Sequence, residues 1–98
     1  MQFQRATYWV QVKRDNVMDV ALRRGWINDD VSLGIHEMKN KKWAVVDLQS
    51  GIRLRTSDSK LGAIIEADKR NWEFEQFQTT PEYARMVNTF RQKVNEKR

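Results

Sequence analysis

Trp43-Ala44-Val45-Val46-Asp47-Leu48-Gln49-Ser50-Gly51-Ile52-Arg53-Leu54-Arg55 is the stretch that decides the fold class. Trp43 to Leu48 is apolar at both parities apart from Asp47, and aromatic and β-branched residues favour strands. A strand that is apolar on both faces belongs in the middle of a sheet. Gln49-Ser50-Gly51 reads as a tight turn, with Gly supplying the positive φ that a hairpin needs. Ile52 and Leu54 then alternate with Arg53 and Arg55, so a short strand returns with both arginines on one face. Strands joined by so tight a turn are antiparallel.

Working upstream, Val31, Leu33 and Ile35 alternate with Ser32, Gly34 and His36, and Lys39-Asn40-Lys41-Lys42 makes a polar turn. These features predict a three-strand meander over residues 31–55. Residues 6–13 predict a further strand, with Tyr8, Val10 and Val12 on one side and Thr7, Trp9, Gln11 and Lys13 on the other. Between the two, Asn16 suits a helix N-cap and Gly25 a helix end, while Val17, Val20, Ala21 and Arg24 share a helical face. A helix is therefore predicted there, with Trp26 to Asp30 as a connection.

Downstream, Ser57 or Asp58 caps a long helix that turns Leu61, Ile64, Ile65 and Trp72 inward, and the helix breaks near Gln78. Thr80-Pro81 starts another, with Tyr83, Met86, Val87, Phe90 and Val94 at helical spacing. The expectation is one compact α+β domain over residues 1–98. An antiparallel sheet of three to four strands carries helices on one face, in the order β-α-β-β-β-α-α.

Composition narrows the function. The chain has 98 residues, 40% of them hydrophobic and 32% charged. The absence of cysteine excludes disulfides, thiolate zinc sites and cysteine nucleophiles, and favours a cytoplasmic location. Met1 to Arg5 has no apolar run behind it, so no signal peptide is expected, and no stretch approaches the roughly 20 apolar residues of a membrane span. Net charge is +5. It is basic over residues 1–28, 39–60 and 83–98 and acidic over 29–38 and 61–82, which fits association with nucleic acid or with an acidic protein surface.

Catalytic patterns are missing. His36 is the lone histidine, and at most it would sit with Glu37, Asp29 and Asp30. A metal site needs three or four convergent ligands. Ser50-Gly51 lacks the Gly-x-Ser-x-Gly context of a nucleophile, and no Gly-rich phosphate loop occurs. The chain is expected to be non-enzymatic, without cofactor or metal.

Binding patterns are better developed. Lys39, Lys41, Lys42, Arg53, Arg55 and Lys60, joined by Lys13, supply cations to one side of the meander, and Trp9 and Trp43 supply rings. Cations neutralise phosphates and rings stack on bases; the ordinary reading is a solvated turn and an edge strand protected by arginine. The terminal helix carries Arg85, Arg91, Lys93, Lys97 and Arg98 opposite an apolar face that docks on the core. Glu66, Asp68, Glu73, Glu75 and Glu82, with Asp29 and Asp30, form an acidic counterpart in which Glu66 and Arg70 make an i,i+4 pair. With four tryptophans, one is available for a partner or homodimer interface.

Between residues 16 and 77 the predicted order of helix, three strands and helix resembles the double-stranded-RNA-binding domain, with Ser59-Lys60 at the place of that family's basic helix start. Residues 43–53 resemble the arm-binding domain of phage-type integrases, where strands ending in a Gly turn precede a helix opened by Ser/Thr and Lys. The chain as a whole, short, charged and Cys-free, is similar to small phage-encoded accessory proteins, including anti-CRISPR proteins. That last resemblance implies an inhibitor or adaptor, of phage or mobile-element origin, that occludes a host protein or nucleoprotein complex. The alternative is a module that binds DNA or RNA through the basic sheet face. No membrane partner is expected.

Overall fold

The computed structural model describes residues 2–69 and 71–98, with Asn71, Trp72 and Glu73 described by backbone alone. The expected Glu66–Arg70 pair, the inward Trp72 and the acidic Glu73 lie outside the described residues. In chain order the elements are β1 (Gln4–Arg14), β2 (Val17–Asn28), β3 (Leu33–Glu37), β4 (Trp43–Asp47), β5 (Arg53–Ser57), α1 (Lys60–Lys69), α2 (Asn71–Phe77) and α3 (Pro81–Lys97). The five strands form one antiparallel meander in the order β1-β2-β3-β4-β5. The class is α+β, as expected, but the sheet has five strands and the element order differs.

The difference lies in residues 17–24, which are strand and not helix, with Asn16 in the turn before them. Asp15 and Asn16 both take positive φ, 52° and 64°. Two such residues make the hairpin turn whose twist matches the flanking strands, and Asp and Asn tolerate that conformation best after Gly. Arg14 then pairs with Val17, and the register continues unbroken to Gln4 opposite Ile27. Ladder bonds along the whole of β1 outweigh the helical spacing of Val17, Val20, Ala21 and Arg24. The helix on which the likeness to the double-stranded-RNA-binding domain depended is therefore β2.

The other elements follow local chemistry closely. Gly51 has φ +71° in the β4–β5 turn. Lys39-Asn40-Lys41 forms a three-residue loop, with Met38 N–H donating to Lys42 O and Lys41 in the left-handed region at φ 71°. Thr80 caps α3, its hydroxyl accepting from Tyr83 N–H, with Pro81 opening the helix. The cap of α1 is Ser59, one residue later than Asp58, since its hydroxyl accepts from Gly62 N–H at 3.0 Å.

Successive residues of β4 enter different cores. Val45 joins Leu33, Ile35, Ala63, Ala67 and Phe74 beneath α1 and α2, with Trp43 packed against them. Ala44 and Val46 join Tyr8 and Val10 on the opposite face. A third cluster seats Phe90 and Val94 of α3 on Val20 of β2. The inward face of α1 is made by Ala63 and Ala67, with Ile64 half-buried, whereas Leu61 and Ile65 are exposed. Small residues let this helix lie close to the sheet, so the larger side chains expected inside are rotated out.

Candidate functional site

The sheet curls until its first strand meets its last turn. Gln11 N–H donates to Gly51 O at 2.8 Å, and the Gln11 side-chain amide donates to Ser50 O at 2.8 Å. Gly25 permits a close crossing of β2 and β3. It lies so close to β3 that a Cβ there would sit 2.1 Å from the Ile35 carbonyl oxygen. Before that point, from Val17 to Arg24, β2 pairs with β1 alone, and from Trp26 to Asn28 it also pairs with β3. The β1–β2 hairpin thereby rises over the β3–β4–β5 face and leaves an open groove of about 1000 Å³.

The groove has an apolar floor and a cationic rim. Val10, Val12, Met18, Met38, Val46 and Ile52 line the floor. Lys13, Arg14, Arg23, Lys39 and Arg53 surround it, against one acid among the described residues, Glu37. Arg14 is partly neutralised by Asp19 at 3.8 Å. Asp19 also pairs with Lys97 at 3.5 Å, and its carboxyl is held below the usual range by the Val20 N–H it accepts and by these two cations.

His36 is buried at the base of this groove, its Nδ1 2.7 Å from the Tyr8 hydroxyl, with the donor set by the tautomer. Burial first, and then the charges of Arg23 and Arg53, lower its pKa to about 4. The ring is therefore neutral near pH 7. Burial pushes the Tyr8 hydroxyl up, out of the range where phenols ionise, so Tyr8 holds the His36 ring from beneath the groove as an uncharged partner.

The residues expected to form one basic face are divided by the fold. Lys39 and Arg53 line the groove, and so does Lys13. Lys41 and Lys42 lie on the β3–β4 turn outside it, Lys42 reaching Asp58 at 3.9 Å. Arg53 and Arg55 do not share a face. A β-bulge sets Arg53 opposite Val46 and Arg55 opposite Val45, whose side chains enter opposite cores. Lys60 lies on the other side of the sheet, 3.7 Å above the Trp26 ring. Trp26 also packs on Trp43, with centroids 5.7 Å apart, and Arg5 lies over it at 5.4 Å.

Both expected stacking platforms are thus part of the packing: Trp43 against the α1 core and Trp9 against the α3 core. Among the described residues no Trp, Tyr or Phe lines the groove. Asp29 and Asp30 line a separate depression of about 730 Å³ with Asp68, apart from His36 and Glu37. Among the described residues no group of three or more His, Asp or Glu side chains is placed to hold a metal ion. No helix among them is long and apolar enough to cross a membrane.

Sequence reading missed Arg23, because a helix assignment gave it no cross-strand neighbour. The signal was present in Asp15-Asn16, a two-residue turn between two alternating segments. No protein family matches this chain, and no curated protein and no solved structure matches it.

Proposed function

We propose that the chain is a non-enzymatic binding protein whose groove captures an acidic segment of a partner protein. The observation that carries this reading is the pairing of an apolar floor with a cationic rim. A polynucleotide needs cations and gains from rings that stack on bases. A polypeptide with acidic and apolar side chains in alternation needs cations and an apolar bed, which is what this groove offers. In such a complex the floor excludes water and the rim selects sign. Occlusion of a host protein or nucleoprotein complex, the role suggested by the resemblance to small phage-encoded proteins, belongs to the same proposal.

The test is a display library of random twelve-residue peptides, selected against the protein and against Lys13→Glu/Lys39→Glu. Enrichment of acidic and apolar residues, lost in the double variant, is the expected result. No enrichment, together with micromolar binding of single-stranded or duplex nucleic acid that survives near-physiological salt, would refute it in favour of the nucleic-acid reading.

A further inference from the structure

Arg23 and Arg53 come from β2 and β5, yet both line the one groove that His36 also lines. Like charges gathered at one place repel unless an anion lies between them. Neither guanidinium has a carboxylate partner among the described residues. Arg23 donates to the Leu22 carbonyl at 2.9 Å, and Arg53 donates to the Met38 sulfur at 3.2 Å. A thioether is a weak acceptor, so the Arg53 contact is readily exchanged for a charged one. Glu37, the acid on the rim, is ion-paired with neither among the described residues.

We infer that Arg23 and Arg53 together hold a single carboxylate of the captured segment above His36, as the anchor point of the groove. This rests on the groove reading and names its centre. Val10, Met38 and Val46 line the same groove with apolar surface, so an acidic side chain set between apolar neighbours fits it. The anchor gives the partner a register: one acidic residue is read by two guanidinium groups, and the lysines on the rim contribute only general attraction.

The experiment uses two twelve-residue peptides with Gly-Ser ends and a central residue between leucines, glutamate in one and glutamine in the other. Binding is followed through the His36 ring and arginine side-chain NMR signals of the full chain. The glutamate peptide is expected to bind at least tenfold tighter than the glutamine peptide. Arg23→Gln/Arg53→Gln should abolish that preference, and Lys13→Gln/Lys39→Gln should weaken both peptides and keep it. Should the arginine double variant lose its fold in a thermal scan, Arg53→Gln alone gives the same readout, since Arg53 is exposed.

A preference for glutamate that survives the arginine substitutions overturns the anchor while leaving the groove reading intact. Failure of the glutamate peptide to bind overturns the anchor as well, and the library selection then decides the groove reading separately. Tighter, arginine-dependent binding of a phosphoserine peptide or of a twelve-nucleotide thymidine strand overturns the carboxylate assignment in favour of a phosphoryl group.

Discussion

Replacing Gly25 or Gly62 by alanine would put a new methyl carbon 2.1 Å from an oxygen in either case, yet the two substitutions are expected to diverge sharply. At Gly25 the oxygen is the backbone carbonyl of Ile35, with the His36 Cβ at 2.9 Å and the Ile35 carbonyl carbon at 3.1 Å behind it. An ordinary carbon–oxygen contact is about 1 Å longer, so β2 and β3 must separate at their closest approach. Overpacking of a tight interior costs about 1–3 kcal/mol, and this case belongs at the upper end because backbone moves on both sides. At Gly62 the oxygen is the Ser57 hydroxyl, which rotates away about one bond, and alanine in a helix is favoured over glycine by up to about 1 kcal/mol. A loss of about 3 kcal/mol should lower the melting temperature of a domain this size by roughly 12–24 °C, at about 4–8 °C per kcal/mol. Gly62→Ala should leave it unchanged or slightly raised. Urea and thermal unfolding followed by circular dichroism measure both. A Gly25→Ala protein within 1 kcal/mol of the parent, or a Gly62→Ala protein less stable than Gly25→Ala, would refute the claim that the groove depends on a close crossing at Gly25.

His36 links stability to pH. Its folded pKa of about 4 lies below the ordinary value of 6.5, so the unfolded chain binds the proton more readily. Stability is then full above about pH 6.5 and falls as pH drops towards 4, by roughly 3 kcal/mol across the window. Urea midpoints at pH 7.5 and 4.5 should show the fall, and His36→Asn should flatten it. Asp47 accepts from Ser50 Oγ at 2.6 Å, from Ser50 N–H at 3.2 Å and from the Gln78 side-chain amide at 3.2 Å. Asp47→Ala strands these donors and should cost about 3 kcal/mol in denaturant unfolding, with Asp47→Asn costing clearly less. Phe90→Ala empties the cluster that seats α3 on Val20 and should cost about 3–5 kcal/mol, with faster hydrogen exchange along α3.

Much of the fold could be read from local pattern. The strand at Trp43, the turn at Gly51 and the Thr80-Pro81 helix start are each fixed by residues within a few positions, and each formed as expected. Residues 17–28 were misread because period-2 and period-3.6 spacings both fit them. Met18, Val20, Leu22 and Trp26 alternate as well as Val17, Val20 and Ala21 repeat, and only the Asp15-Asn16 turn breaks the tie. The groove itself was only partly legible. Lys39 and Arg53 were identified from charge, but their union with Arg23 depends on the close crossing at Gly25 and on the Gln11–Gly51 contact, neither of which has a local signature. The separation of Arg53 from Arg55 depends on one inserted residue in a ladder, which strict alternation cannot anticipate.

The Gln11 bonds to the β4–β5 turn also bear on the order in which the chain assembles. Every strand pairs with its neighbour in the sequence, so each hairpin closes a short loop and forms early. The contact between Gln11 and Ser50 joins residues 39 apart and gains enthalpy only after the intervening hairpins are in place. The groove is therefore expected to be the last part of the sheet to close during folding and the first to lose hydrogen-exchange protection under mild denaturant. A segment bound there, as proposed above, would act as a late-stage clasp, slowing unfolding far more than it speeds folding.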